Sequence, residues 1–488
     1  MNGPILQPNT PEQNNAQRQV TRSEFLQIFT AVMLPMFMAM IDQTLLATAT
    51  PIVAADFGNL FDTSWIATAY LLTAAVMVPV YGRLGDRHGR RNVLLVSLTI
   101  FVLGATLCAV SQSMHQLIAG RALQGFGGGG LMSLSFALIG ELVPPRQRVS
   151  YQGYFAIVAT AANVLGPVLG GQVVAHASWR WLFFAHLPLG VLAAWRLGRL
   201  PHGRHNPGAP GVTDLVGLAL FALGTVLLLF GFSSAGHRFA WLSWQTAVCL
   251  GVGVLTWTVL LLHEHRQRAP FFPVDLLQIR GMSMSLLTVI CSTFCLLALV
   301  FYLPIYFQLG LHTGAAQAGL LLMPVLLGFV AGGALAGRHV GRTGEPKPVP
   351  VAGLTLAAIA MLALVIAPTN KVLVATLAFV AGLGLGPTMP TVQVMVQTIA
   401  GHDRLGAATA LVILARTLGA ALGTSLIGAV VYGLMPHVDL SQLVRHAAVW
   451  NEPDNAQVVR AFHVAFFATA LVAAFGALSA SRMPKVRL

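Results

Sequence analysis

"FMAMIDQTLLATATP", residues 37 to 51, sets an aspartate inside an apolar run. No other Asp, Glu, Lys or Arg occurs between Phe25 and Ala55, a stretch of 31 residues. As a helix it would extend about 46 Å at ~1.5 Å per residue, against a hydrocarbon core of about 30 Å. The stretch is centred on Met40, so Asp42 falls within one turn of its middle. A charge at that depth costs roughly 2.5–3.5 kcal/mol on insertion scales. An acid retained there reads first as a functional group. The plainer alternative is a structural acid hydrogen-bonded between helices.

The rest of the composition agrees with a membrane setting. The chain has 488 residues, 56% hydrophobic and 9% charged, where soluble domains average about 25% charged. The formal charge of +13 does not indicate nucleic acid, because the basic residues fall in short segments between apolar runs. Cys108, Cys249, Cys291 and Cys295 all lie in apolar segments, and no His or acid accompanies them at ligand spacing. They read as packing residues, not as a disulfide framework or a metal site. Residues 1 to 20 are rich in Asn, Gln and Pro, with no apolar stretch of signal-peptide length. They read as a disordered tail, and the first apolar run as a retained helix.

Runs of membrane length fall near 25–50, 63–81, 92–110, 116–140, 152–175, 181–199, 213–233, 241–262, 282–308, 315–337, 349–367, 372–399, 405–433 and 461–481, which makes fourteen. With the amino terminus inside, 21 of the 28 Lys and Arg residues fall on the inner side. Five fall outside (Arg180, Arg238, Lys371, Arg445 and Arg460), and Arg121 and Arg416 lie within runs. A wrong count would scramble that bias, so the expectation is fourteen spans with both termini cytoplasmic. A weak repeat supports it: "GRLGDRHGRR" at 82–91 follows the second run and "GRHVGRTG" at 337–344 the tenth. Each follows the second helix of a six-helix set, leaving two extra helices between the sets. Such repeats mark transporters with a substrate site at mid-membrane where the halves meet.

Four motifs then carry a resemblance. "GRLGDRHGRR" has Gly82, Gly85 and Gly89 for tight turns and Asp86 among Arg83, Arg87, Arg90 and Arg91. "RALQGFGGGG" at 121–130 sets Arg121 and Gln124 before a glycine run. Its Gly125-x-Gly127-x-x-Gly130 spacing is not a dinucleotide fingerprint, since no strand precedes it and it lies inside an apolar run; small residues there favour close helix packing. The fifth run carries Gly153, Ala162, Gly166-Pro167 and Gly170-Gly171. "IDQTLLATATP" supplies Asp42, Thr44, Ala49 and Pro51. Together these resemble the fourteen-helix drug:proton antiporter branch of the major facilitator superfamily, from about residue 25 to 480. The chain departs from that pattern at Ala47, Thr48, Thr50 and Ala162.

The resemblance implies an all-α membrane protein with the major facilitator fold. It divides into a tail (1–24), a six-helix bundle (25–200), two linking helices (213–263), a second six-helix bundle (281–481) and a short tail (482–488). It implies that Asp42 and Arg121 couple protons to substrate. Gly82, Asp86, Arg87, Gly89, Arg90 and Glu141 would form a gating loop at the inner face. There Asp86 would dock on the start of the thirteenth run, near Leu405 and Gly406. The glycines and Pro167 of the fifth run form the antiporter signature, which favours export over uptake and would pack on the tenth run. The cavity would be greasy and aromatic. Its candidates are Trp65, Tyr70, Gln124, Tyr302, Tyr306, Met389, Gln393 and Gln397, with ordinary helix packing as the alternative for each.

The function so implied is proton-coupled export of lipophilic, cationic drugs and dyes across the inner or plasma membrane by alternating access. The rivals are an exporter of one native compound and a membrane-embedded protein that transports nothing. The chain would use the proton gradient, need no cofactor, metal or nucleic acid, meet lipids and small lipophilic substrates, and work as a monomer. No enzyme is expected. His263-Glu264-His265 lacks the spacing of a zinc protease, and no phosphate loop or hydrolytic triad is present.

Overall fold

The computed structural model describes residues 22–57, 63–144, 148, 158–159, 161–162, 165–166, 169–174, 176–200, 214–234, 243–267, 272–313, 315–367, 369–434 and 452–487. Among them the protein is helical throughout, with thirteen helices long and apolar enough to cross a membrane. The fifth run, near 152–175, is described at only half of its positions, and Gly153 and Pro167 lie outside the described residues.

The amino-terminal set comprises α1 (Arg22–Asp56), α2 (Thr63–His88), α3 (Arg90–Ala109), α4 (Met114–Leu142), α5 (Arg180–Phe184) and α6 (His186–Gly198). One expected span, 181–199, is thus interrupted at Ala185, between α5 and α6. The linking pair is α7 (Leu215–Ser234) and α8 (Trp244–Arg266), followed by a short α9 (Val274–Gln278). The carboxy-terminal set comprises α10 (Met282–Leu309), α11 (Ala315–Thr343), α12 (Pro348–Ile366), α13 (Lys371–Leu385), α14 (Thr388–Ala400), α15 (Leu405–Gly433) and α16 (Glu452–Ser481). The run 372–399 is broken at Gly386-Pro387 into α13 and α14.

Glycine positions set the closest approaches. In α4 the glycine run presents two faces at once. A Cβ on Gly125 or Gly128 would strike Tyr70 of α2, and one on Gly127 or Gly130 would strike Phe101 or Ser97 of α3. The run therefore buries α4 against two neighbours, which its apolar composition alone would not do. The two sets meet through α15, which packs on α2 and α4. The linking pair docks by α7 alone, on α2 and α15, while α8 rides on α7. Trp65 of α2 stacks on Phe230 of α7 with ring centroids 5.8 Å apart.

Candidate functional site

Asp42 sits in α1, and its carboxylate is fully engaged. Arg121 of α4 donates through Nη1 to Oδ2 at 2.6 Å. Gln124, one turn further along α4, donates through Nε2 to Oδ1 at 2.9 Å and accepts from Arg121 at 2.6 Å. Arg121 and Gln124 are three apart, so they share a helix face and grip the acid from one side. Arg121 also donates from Nε to the Ile66 carbonyl of α2 at 3.1 Å, and its guanidinium lies over the Tyr70 ring at 4.6 Å. Both members of the ion pair are sealed, with side chains 2% and 1% exposed. His186, the first residue of α6, brings Nε2 to 3.7 Å from Asp42 Oδ1 and is equally buried.

A carboxylate with no water and one cation partner is stable only while that partner stays. The sequence reading expects Asp42 in a greasy chamber beside the substrate. In this conformation it instead lies inside the amino-terminal set, held by groups from α4 and faced by α6.

The second acid is built differently. Asp86, near the end of α2, accepts from the backbone N–H of Gly406 at 2.9 Å and of Ala407 at 3.1 Å, the second and third residues of α15. It thereby caps a helix of the other set, satisfying N–H groups that have no intrahelical partner and setting a negative charge at the positive end of the dipole. Arg90 donates to Asp86 at 2.7 Å and to Glu141 at 2.8 Å, binding α2, α3 and α4 at one corner. Gly89 turns the chain between α2 and α3 with φ of +88°, a conformation suited to glycine. The expected docking of Asp86 at Gly406 is present. The backbones touch as closely there, since a Cβ on Gly82 would lie 2.7 Å from the Gly406 carbonyl oxygen. Arg87 is half-buried beside this corner. Beyond the spans, burial pushes the Arg148 guanidinium down to about 10, with Arg90 adding to it, while its Nε donates to the Val143 carbonyl at 2.6 Å.

The cavity candidates do not gather round one chamber. Tyr70 belongs to the Arg121 stack and Trp65 to the linking pair. Tyr302 donates to the Thr424 carbonyl of α15 at 2.6 Å. Tyr306 packs among Phe462 and Phe466 of α16, inside the carboxy-terminal set. Gln393 and Gln397 both donate to Thr409, and Gln397 also donates across to the Phe136 carbonyl of α4, so they seal the two sets together at the Asp86 end. Met389 is half-buried against the core. Spacing of four residues placed these groups on shared faces but did not say what each face meets.

In the antiporter segment, Gly166 packs on Thr44 of α1, whose hydroxyl donates to the Ala162 carbonyl at 3.0 Å. The resemblance expects that face against the tenth run. Gly170 and Gly171 lie in the helical residues 169–174, and Gly171 leaves open space beside it. Two constellations were missed. His186 is one. The other is a clasp at the opposite end of the set from Asp86, where Trp179 and Arg180 donate to Asp56 at 3.0 and 3.2 Å and Arg180 also donates to the Ser111 carbonyl. A lone histidine inside "LFFAHLPLG" carries the same signal that singled out Asp42: a titratable group in an apolar run.

With this geometry described, the relatives can be placed beside it. A profile described as Major Facilitator Superfamily matches residues 32–424. The chain is similar to a Bacillus subtilis protein called "Multidrug transporter protein MdtP", 30% identical over 83% of this chain and 74% of that one. It is equally similar to "Efflux pump dotC" of Dothistroma septosporum, 30% identical over 81% and 69%. Among solved structures it resembles the human organic anion transporter MFSD10, with a TM-score of 0.66 and 15% identity over 93% of this chain and 99% of that one. That likeness speaks for the fold.

Proposed function

We propose that this chain, which belongs to the major facilitator superfamily, exports lipophilic small molecules, cations among them, in exchange for protons. Membership makes it a multi-span membrane transporter and not an enzyme. Transporters of this family draw on a proton gradient in place of a resident cofactor.

The observation that carries the proposal is the sealed Asp42–Arg121 pair at 2.6 Å within membrane-spanning helices. As it stands the pair is neutral. A proton added to the acid leaves Arg121 uncompensated, and the low-dielectric interior then disfavours a second cation nearby. Proton and cationic cargo exclude each other through charge, without sharing an atom. Arg121 also holds the Ile66 carbonyl, and Ile66 and Asp86 lie on the same helix, α2. Release of Arg121 loosens one end of α2, whose other end carries the Asp86 latch. We place the latch on the cytoplasmic side, where the arginines cluster. Export, not uptake, is favoured by the Gly153, Gly166-Pro167 and Gly170-Gly171 pattern of the fifth run and by relatives named as a multidrug transporter and an efflux pump.

The test is dye efflux in everted vesicles with and without a proton gradient, for wild type and Asp42→Asn. Gradient-driven ethidium movement should be present in wild type and absent in the variant. Equal, equally coupled transport by Asp42→Asn would end this reading. A panel of chemically unrelated substrates separates a multidrug exporter from one serving a single native compound.

A further inference from the structure

His186 is the remaining titratable group of the Asp42 cluster, and nothing above uses it. Its side chain is 2% exposed, and among the described residues neither ring nitrogen has a hydrogen-bond partner. The Leu182 and Phe183 carbonyls, one turn back across the α5–α6 break, approach the ring without reaching hydrogen-bond geometry. Phe101 of α3 meets it edge-on at 5.4 Å between centroids. A buried imidazole with two unmet nitrogens is uncommon, because each gives up its hydration with no hydrogen bond in return. The one charged oxygen near it is Asp42 Oδ1, 3.7 Å from Nε2. That gap is too long for a hydrogen bond, and a proton on Nε2 is what would close it.

The charges facing this ring are few. Asp42 approaches from α1 and Arg121 from α4. Tyr70 of α2 and Cys108 of α3 complete the surroundings of the same ion pair, and both are neutral in their ordinary forms. Asp42 has one negative charge and two nitrogen bases within reach, Arg121 permanently charged and His186 charged only when protonated. With Arg121 in place, neutrality requires a neutral ring. With a proton on the ring the cluster carries one cation too many, and neutrality returns only when Arg121 withdraws from it.

We infer that His186 is the second proton-carrying residue of the coupling site, and that protonated His186 replaces Arg121 as the counter-ion of Asp42. In this exchange the proton binds the Nε2 lone pair and the new N–H donates to Oδ1. Arg121 leaves Oδ2 and gives up its hold on the Ile66 carbonyl with it. No bond other than hydrogen bonds breaks, and the reverse step returns the proton. The inference rests on the reading of Asp42 as the coupling acid and deepens it: the proton is held by a pair, not by a lone carboxyl. It also gives the site a second proton-binding group of a different kind, an imidazole beside a carboxyl.

The experiment is pH-difference infrared spectroscopy between pH 5 and 8 on the purified full chain, for wild type, His186→Gln and Asp42→Asn. The expected result is an imidazolium band that appears on acidification in wild type and is lost in both variants. Isotope-labelled histidine, compared between wild type and Asp42→Asn, identifies the band as a histidine coupled to Asp42, even if His186→Gln does not fold. A protonated-carboxyl band that is lost in Asp42→Asn and unchanged in His186→Gln would overturn the inference while leaving Asp42 as sole carrier. No titrating band absent from Asp42→Asn would remove both. Gradient-driven ethidium efflux should lose its near-neutral pH dependence in His186→Gln, and an unaltered pH profile would count against the pair.

Discussion

Asp42 and Asp86 are both buried aspartates paired with an arginine, yet they are built on opposite principles. Asp42 is held by side chains alone, all from within the amino-terminal set. Asp86 is held by two backbone N–H groups of the other set as well as by Arg90. The first arrangement lies wholly within one set, so a change of charge there can exchange one partner for another without opening a seam. The second crosses the seam between the sets and must break whenever that end opens. The proposed exchange needs both kinds: a site that reads protons, and a clasp that yields.

The largest contrast should come from removing the arginines. Arg121→Met leaves Asp42 charged and sealed with one amide. Breaking a buried pair from one side costs roughly 3–5 kcal/mol, while removing both partners is close to neutral. Arg121→Met should therefore collapse thermal stability in detergent, and the double variant with Asp42→Asn should regain most of it. Arg90→Met should do far less, about 1–3 kcal/mol, because Asp86 retains two N–H donors. Equal losses at the two sites would erase the distinction.

The next effect concerns the seam. A Cβ on Gly406 would lie 2.7 Å from Asp86 Oδ1 and also strike the Gly82 carbonyl oxygen. Both neighbours are held, one by hydrogen bonds and one as backbone, so Gly406→Ala should push α15 off α2. Labelling of a cysteine introduced at Arg87 by a water-soluble thiol reagent should rise several-fold, roughly what 1 kcal/mol in the closed-to-open balance gives. Labelling at the wild-type rate would mean that the clasp does not hold this end closed. Asp86→Asn should act in the same direction more weakly, since Asn still accepts from a helix N-terminus and gives up only the charge, worth about 0.3–1 kcal/mol.

These two sites were not equally legible. The Asp86 clasp could be read because glycine spacing, an acid among arginines and the start of the thirteenth run are all local features, and the resemblance paired them. Asp42 and Arg121 announced themselves as charges inside apolar runs. Gln124 was expected among the cavity residues, and it lies on the acid. Gln393, Gln397, Tyr302 and Tyr306 show the same limit. Periodicity fixes which residues share a helix face, but packing among fourteen similar runs decides which face meets which. His186 lay open to the rule that found Asp42. Its meaning needed the packing of α6 on α1, which no residue pattern in "RWLFFAHLPLG" states; Pro188 accounts only for the interruption, since it has no N–H to give the Phe184 carbonyl.

The smallest effect lies outside both sites and sharpens the contrast by its mildness. Asp214 precedes α7 and accepts from the Gly217 N–H at 2.8 Å and from His263 of α8 at 3.0 Å. Burial pushes its carboxyl up, but the Gly217 N–H and His263 outweigh that and hold it below the ordinary range. A depressed carboxyl stabilises the fold above its unfolded pKa of about 3.9 and loses that contribution as pH falls through the lower folded value. Asp214→Ala should therefore lower stability at pH 7 by about 0.5–2 kcal/mol, the usual worth of a helix cap. The gap from wild type should close as the pH drops below 4. Coupled transport should persist, because the linking pair docks through α7 on α2 and α15, and neither Asp214 nor His263 reaches Asp42 or Asp86. A loss of coupling in Asp214→Ala as deep as that in Asp42→Asn would mean that the linking helices take part in the cycle and do not merely pack beside it.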